Sequence, residues 1–277
     1  MSNHGNWPSG ALGAKPLHSI QVSRNIKYLE CPNTIVLQRG FSLSLDVVKK
    51  AVQQTNQTFE NISSVAPYIY ELLQLRNLSA MVGAAFAREL QEASAGSLLL
   101  NPHQDGYPDL LLMDSEGKTA WNKLQASTAK EHFSPFPTGG LEIKATLGDV
   151  PSEKQLAKTG KSKPKIGETR IDLITSMNWK AHHRETNHLM GILWDFLDGI
   201  PAVLIVSYSD NLTESDWGKM VLPKDGGGRT TSVSIMGKTG IEKMLGNPLL
   251  IVDDPRYINL VTKKSGQKPV FRKLQQN

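Results

Sequence analysis

The stretch PAVLIVSYSD, residues 201–210, limits the choice of fold more than any other part of this chain. It is a continuous apolar run rich in β-branched residues, which marks a strand buried on both faces. Such a strand needs a covering layer on each side of its sheet, and helices are the usual cover.

The periodicity elsewhere supplies those layers. LSLDVVKKAVQQ and VAPYIYELLQLR carry helical patterns within residues 43–75. In residues 78–94, Leu78, Val82, Ala85, Phe86, Leu90 and Ala93 fall on one apolar arc at 100° per residue, predicting a helix. PDLLLMD (108–114) reads as a strand, DSEGK as the turn after it, and residues 119–130 as a helix. GGLEIKAT (139–146) and TRIDLITSMNW (169–179) read as strands on either side of a basic loop over 148–168. Leu189, Ile192, Leu193, Phe196 and Leu197 recur at i, i+3, i+4, i+7 and i+8, predicting a helix over 184–198. The tail holds a loop (DGGGR), an alternating run (TTSVSIM), a short helix (TGIEKML) and a strand (PLLIVDD). The expected fold is α/β, a central mixed sheet flanked by helices, with N- and C-terminal additions. Residues 1–75 are expected to form an arm and helical segment, 76–210 the core, and 211–277 an extension for recognition or dimerisation.

With 39% hydrophobic and 21% charged residues, the composition is that of a globular chain. No apolar run reaches membrane-spanning length, and residues 1–19 lack the basic and apolar regions of a secretion signal. The single Cys31 excludes an intramolecular disulfide, so a reducing, cytoplasmic compartment is expected. The charge is mildly basic, 31 Lys and Arg against 26 Asp and Glu. Basic residues gather in KTGKSKPK (158–165), KAHHR (180–184) and KKSGQK (263–268), which suit either solvated loops or a polyanionic partner.

The chemistry centres on GGLEIKAT. Glu142 and Lys144 alternate with Leu141 and Ile143, so on a strand both charges leave by the same face. A carboxylate on a neighbouring strand, Asp109, completes a set suited to phosphodiester hydrolysis. That reaction is extremely slow in water. Hard oxygen ligands holding Mg²⁺ at the phosphate, with a lysine to orient water and offset charge, meet its demands. Glu116-x-Lys118 repeats the triplet in the expected turn, without a strand to fix its direction. Glu89 projects into the apolar arc of its helix, a costly placement for a carboxylate unless it is paired or binds a metal.

PDLLL followed by GGLEIKAT resembles the PD-(D/E)XK nuclease superfamily, and the length and added segments resemble a type II restriction endonuclease. The resemblance covers roughly residues 79–210. It implies Asp109 and Glu142 as Mg²⁺ ligands, Lys144 as the catalytic lysine, and Glu89 as an accessory acid. It further implies a homodimer cutting both strands of a DNA duplex at a specific sequence, and a cognate DNA methyltransferase in the same host. The alternatives are a structure-specific or repair nuclease of the same superfamily, and a non-catalytic DNA-binding protein.

For DNA contacts, SMNWKAHHRETNH (176–188) is dense in donors, among them Lys180, His182, His183, Arg184 and Asn187. Arg229 follows three glycines on a loop able to approach a groove closely. Adjacent His182 and His183 face opposite ways on a strand and lack zinc-ligand spacing. MGKTG (236–240) lacks the first glycine of a phosphate-binding loop, since Ser232 stands there.

Overall fold

The computed structural model of the chain describes residues 24–181, 186–222 and 232–272. Its strands are β1 (Tyr28–Glu30), β2 (Ile35–Val36), β3 (Ser42–Leu43), β4 (Leu98–Leu100), β5 (Leu110–Leu112), β6 (Gly140–Thr146), β7 (Lys180–Ala181), β8 (Leu189–Leu197), β9 (Ile200–Ser209), β10 (Ser234–Ile235) and β11 (Pro248–Val252). The helices are α1 (Leu45–Val65), α2 (Ile69–Ala93), α3 (Ser115–Leu124), α4 (Glu153–Ala157), α5 (Lys238–Gly246) and α6 (Pro255–Ser265). Seven strands form one mixed sheet in the order β1-β11-β9-β8-β6-β5-β4. Only β6 and β8 run parallel; every other neighbouring pair is antiparallel. This is the expected α/β architecture of a central mixed sheet flanked by helices. The sheet draws strands from all three segments expected from the sequence, since β1 and β11 join it from outside 76–210.

The apolar run is β9, buried from Pro201 to Ser209, and each of its faces has its own core. On one face, α1 and α2 pack Val48, Phe59, Leu78, Val82 and Phe86 against Ile143, Ile192, Trp194 and Val206. On the other, α5 and α6 bring Ile241, Met244, Tyr257 and Val261 onto Leu189, Leu193, Ile205 and Ile251. The β8–β9 register shifts between Leu193 and Trp194. There the Val203 N–H donates to Asn56 Oδ1 at 2.8 Å, and its carbonyl accepts from the Tyr28 hydroxyl at 2.5 Å. A buried backbone N–H without a partner costs about 1–3 kcal/mol, so the polar Asn56 is kept on the apolar face of α1.

Several expectations are corrected. Residues 189–197 form strand β8, not part of a helix, and eight of its nine residues are buried. A strand apolar on both sides satisfies a helical spacing as readily as its own, so the pattern did not discriminate. Residues 169–179 form no strand of the sheet; a 3₁₀ turn at Ile171–Leu173 is followed by extended backbone that buries Met177 and Trp179. DSEGK is not a free turn but the start of α3, where Asp114 Oδ1 accepts from the Gly117 N–H at 2.8 Å. Gly117 fits because a Cβ there would lie 1.8 Å from the Leu112 carbonyl oxygen. The basic loop contains the short α4, and Lys263 and Lys264 end α6.

Candidate active site

The side chains that alternate along β6 divide between the two faces of the sheet. Leu141 and Ile143 join the core beneath α2, and Ala145 packs against it. Glu142, Lys144 and Thr146 therefore point to the face of α5 and α6. Their parallel partners on β8, Leu189, Gly191 and Leu193, confirm that side: Leu189 and Leu193 belong to the second core, and a Cβ on Gly191 would strike Trp179 and Met244.

Where β5 meets β6, the backbone ladder stops early. Leu110 pairs with Leu141 and Leu111 with Gly140, and β5 begins there. Gly140 is required at this join, because a Cβ would sit 1.9 Å from the Leu110 carbonyl oxygen. One residue further on, Asp109 and Glu142 face each other, and their side chains take over from the ladder. The Asp109 N–H donates to Glu142 Oε2 at 3.1 Å, and the Ile143 N–H donates to Asp109 Oδ2 at 2.8 Å. On the opposite side, the Glu142 N–H donates to the His188 carbonyl at 3.0 Å. Both carboxylates are thus fixed by backbone donors at the fork between two strands.

The Lys144 ammonium pairs with Glu142 Oε1 and lies 3.5 Å from Asp109 Oδ2. The Glu142 side chain is 8% exposed and that of Asp109 38%. Burial pushes the Glu142 carboxyl up to about 7, against the pull of Lys144 and with the repulsion of Asp109. For Lys144, burial lowers the ammonium's pKa, but the two carboxylates outweigh it and hold the group firmly protonated. Tyr107, next to the Pro108–Asp109 pair, hydrogen-bonds Thr186; burial raises its phenol, and Glu142, Lys144 and Asp109 all act on it. Among the described residues, no group of three or more His, Cys, Asp or Glu side chains is placed to hold a metal ion. The pair Asp109 and Glu142 still fits Mg²⁺, which takes one or two carboxylates and completes its shell with water and substrate phosphate. The more exposed Asp109 leaves the approach open for both.

From Lys144 a cleft of about 840 Å³ extends along the end of β6 and the segment 147–152. Its lining carries five cations, Arg76, Lys144, Lys163, Arg170 and Lys180, against one carboxylate, Asp149. Thr146 and Asn178 are hydrogen-bonded to each other in its floor, and Asn178 Nδ2 donates to Asp149 Oδ1 at 2.6 Å.

The structure therefore brings together Asp109, Glu142 and Lys144, and sets Lys180 in the adjoining cleft. Glu89 is half-buried on α2, and among the described residues it forms no metal-holding group with Asp109 and Glu142. Asn187 is exposed and spends its Oδ1 on the His188 N–H at 2.9 Å. His182, His183, Arg184 and Arg229 lie outside the described residues. Glu116, the alternative acid, is exposed in the first turn of α3 and lies 3.6 Å from Arg39. Arg76, Arg170 and Tyr107 were not found from sequence. Arg170 has no local sequence signature; it reaches the cleft because the segment before the 3₁₀ turn folds against it.

No protein-family model matches the chain, and neither the curated proteins nor the solved structures give a match. No helix among the described residues is long and apolar enough to cross a membrane.

Proposed function

We propose that this protein is a Mg²⁺-dependent endonuclease that hydrolyses phosphodiester bonds of double-stranded DNA at specific sequences, as the resemblance to PD-(D/E)XK restriction enzymes implies. The reading rests chiefly on one observation: two carboxylates and a lysine converge on one face of a strand fork that opens into a cationic cleft. A surface ion pair has no use for backbone donors fixing both acids, or for five cations beside them.

Asp109 and Glu142 would hold Mg²⁺, which when bound polarises the scissile phosphate and eases deprotonation of the attacking water. Lys144, held cationic by the same two acids, orients that water and offsets charge building on the phosphoryl oxygens. The cleft cations draw in the DNA backbone and neutralise it. Two copies of the chain acting on a palindrome place one such site on each strand. A methyltransferase in the same host protects that host's own sites, and a cytoplasmic location gives access to invading DNA.

The test is incubation of the purified protein with long phage or plasmid DNA and Mg²⁺. Discrete fragments are expected; a smear points to a repair or non-specific nuclease, and intact DNA refutes catalysis. Asp109→Ala should abolish cutting in Mg²⁺ while leaving metal-free DNA binding, and a fully active variant overturns the ligand assignment.

A further inference from the structure

We propose that Arg170 is an anion receptor, its guanidinium taking a backbone phosphate of the nucleic acid that enters the cleft beside Lys144; the identity of that anion rests on the nuclease reading above.

Arg170 is 4% exposed, yet its Nε and Nη1 are buried with no hydrogen-bond partner among the described residues. An arginine stays charged in proteins and carries five N–H donors. Leaving such donors buried and unmatched destabilises the fold. Two acids act on the charge from a distance, Asp195 and Asp149, and oppose the lowering that burial imposes on its pKa. Neither accepts from its Nε or Nη1, and both accept from other donors. Asp195 Oδ2 accepts from the Thr169 hydroxyl, the Arg170 backbone N–H and the Tyr257 hydroxyl at 2.8–3.0 Å. Asp149 Oδ1 accepts from Asn178. The backbone of Arg170 is therefore anchored while its side chain is left without an acceptor, in the wall of a cleft shared with Lys144, Lys163 and Lys180. An anion entering the cleft would supply the acceptor that the described residues do not. Phosphate oxygens, which guanidinium groups bind through directed, charge-assisted bonds, meet that description.

The experiment compares wild type with Arg170→Gln, without divalent metal, in two arms. In the first, inorganic phosphate is titrated while thermal unfolding is followed; wild type should gain Tm and R170Q should not. In the second, binding of a 30-base-pair duplex is measured against salt. Loss of one phosphate contact should weaken binding about tenfold and flatten the log–log salt slope by about 0.9. A purely structural arginine would leave that slope unchanged. A folded R170Q that keeps both responses overturns the proposal. Loss of the phosphate response with an unchanged DNA slope also overturns it, assigning the site to a free phosphate or phosphomonoester. Should R170Q not fold, wild type decides through its arginine Nε–H NMR signals. The Arg170 signal, identified by its absence in R170K, must move on phosphate addition, and a fixed signal refutes the assignment. Neither arm depends on cleavage, so a wild type that binds DNA without cutting it removes the nuclease reading and leaves Arg170 judged separately.

Discussion

The sharpest consequence of the fork geometry concerns stability against pH in the absence of metal, and Glu142→Gln exposes it. In the folded chain burial lifts the Glu142 carboxyl from its ordinary 4.5 to about 7. The unfolded chain releases that proton near the ordinary value, so between the two the folded state binds more protons and a rising pH favours unfolding. At about 1.4 kcal/mol per pH unit, the interval corresponds to a loss of about 3 kcal/mol from this group alone. The glutamine of the variant has no proton to lose. The amide also opposes Lys144 differently, which shifts the whole curve, so the informative quantity is the change with pH. Urea unfolding of wild type and E142Q, measured in EDTA from pH 4.5 to 7.5, should show the variant gaining about 3 kcal/mol on wild type across that range, then holding level. Mg²⁺ should restore wild type above pH 7 and do nothing for E142Q, since binding only the folded state stabilises it. A difference independent of pH would show that Lys144 fully compensates burial and would refute the reasoning.

Other outcomes follow from the same geometry. Glu116→Ala should keep full cleavage and change stability by less than about 0.5 kcal/mol, because Glu116 is exposed and its ion pair with Arg39 is weak; an inactive E116A would reverse the choice of triplet. Gly140→Ala should lose cleavage and about 3 kcal/mol of stability, since the added carbon meets the Leu110 carbonyl and splays the fork; chemical denaturation beside a plasmid assay measures both. Cys31 is 1% exposed and burial pushes its thiol up to about 11, so a disulfide reagent at pH 8 should leave the native protein unlabelled and react only after denaturation.

Strands β5, β6, β9 and β11 and the paired acids were legible because their signals are local. β9 declares itself by an unbroken apolar run, and β6 by strict alternation around Glu142 and Lys144. β8 did not, because LMGILWDFL is apolar on both sides and fits a helical spacing as well as a strand's. For α6 the signals were present and unread: Asp254 accepts from the Arg256 N–H at 2.8 Å and Pro255 opens the first turn. Beyond the triad, only Lys180 and the basic stretch holding Lys163 were legible. Arg170 matters through burial without an acceptor, a property of the tertiary arrangement that no spacing along the chain encodes. Glu89 met the periodic rule for a buried acid, yet it is only half-buried and joins no metal-holding group among the described residues.

The lone parallel pair in the sheet governs when the site comes into being. β6 ends at Thr146 and β8 begins at Leu189, so 42 residues must be looped out before the strand bearing Glu142 and Lys144 is secured on its second side. Relative to the two-residue link between β8 and β9, closing that loop costs roughly 2.5 kcal/mol more in chain entropy. The same loop contains Lys163, Arg170 and Lys180, so the cleft closes in the same event as the strand pairing. A chain part-way through synthesis or refolding thus holds both acids without a working site. Under the proposed nuclease reading, such latency keeps half-made copies inert.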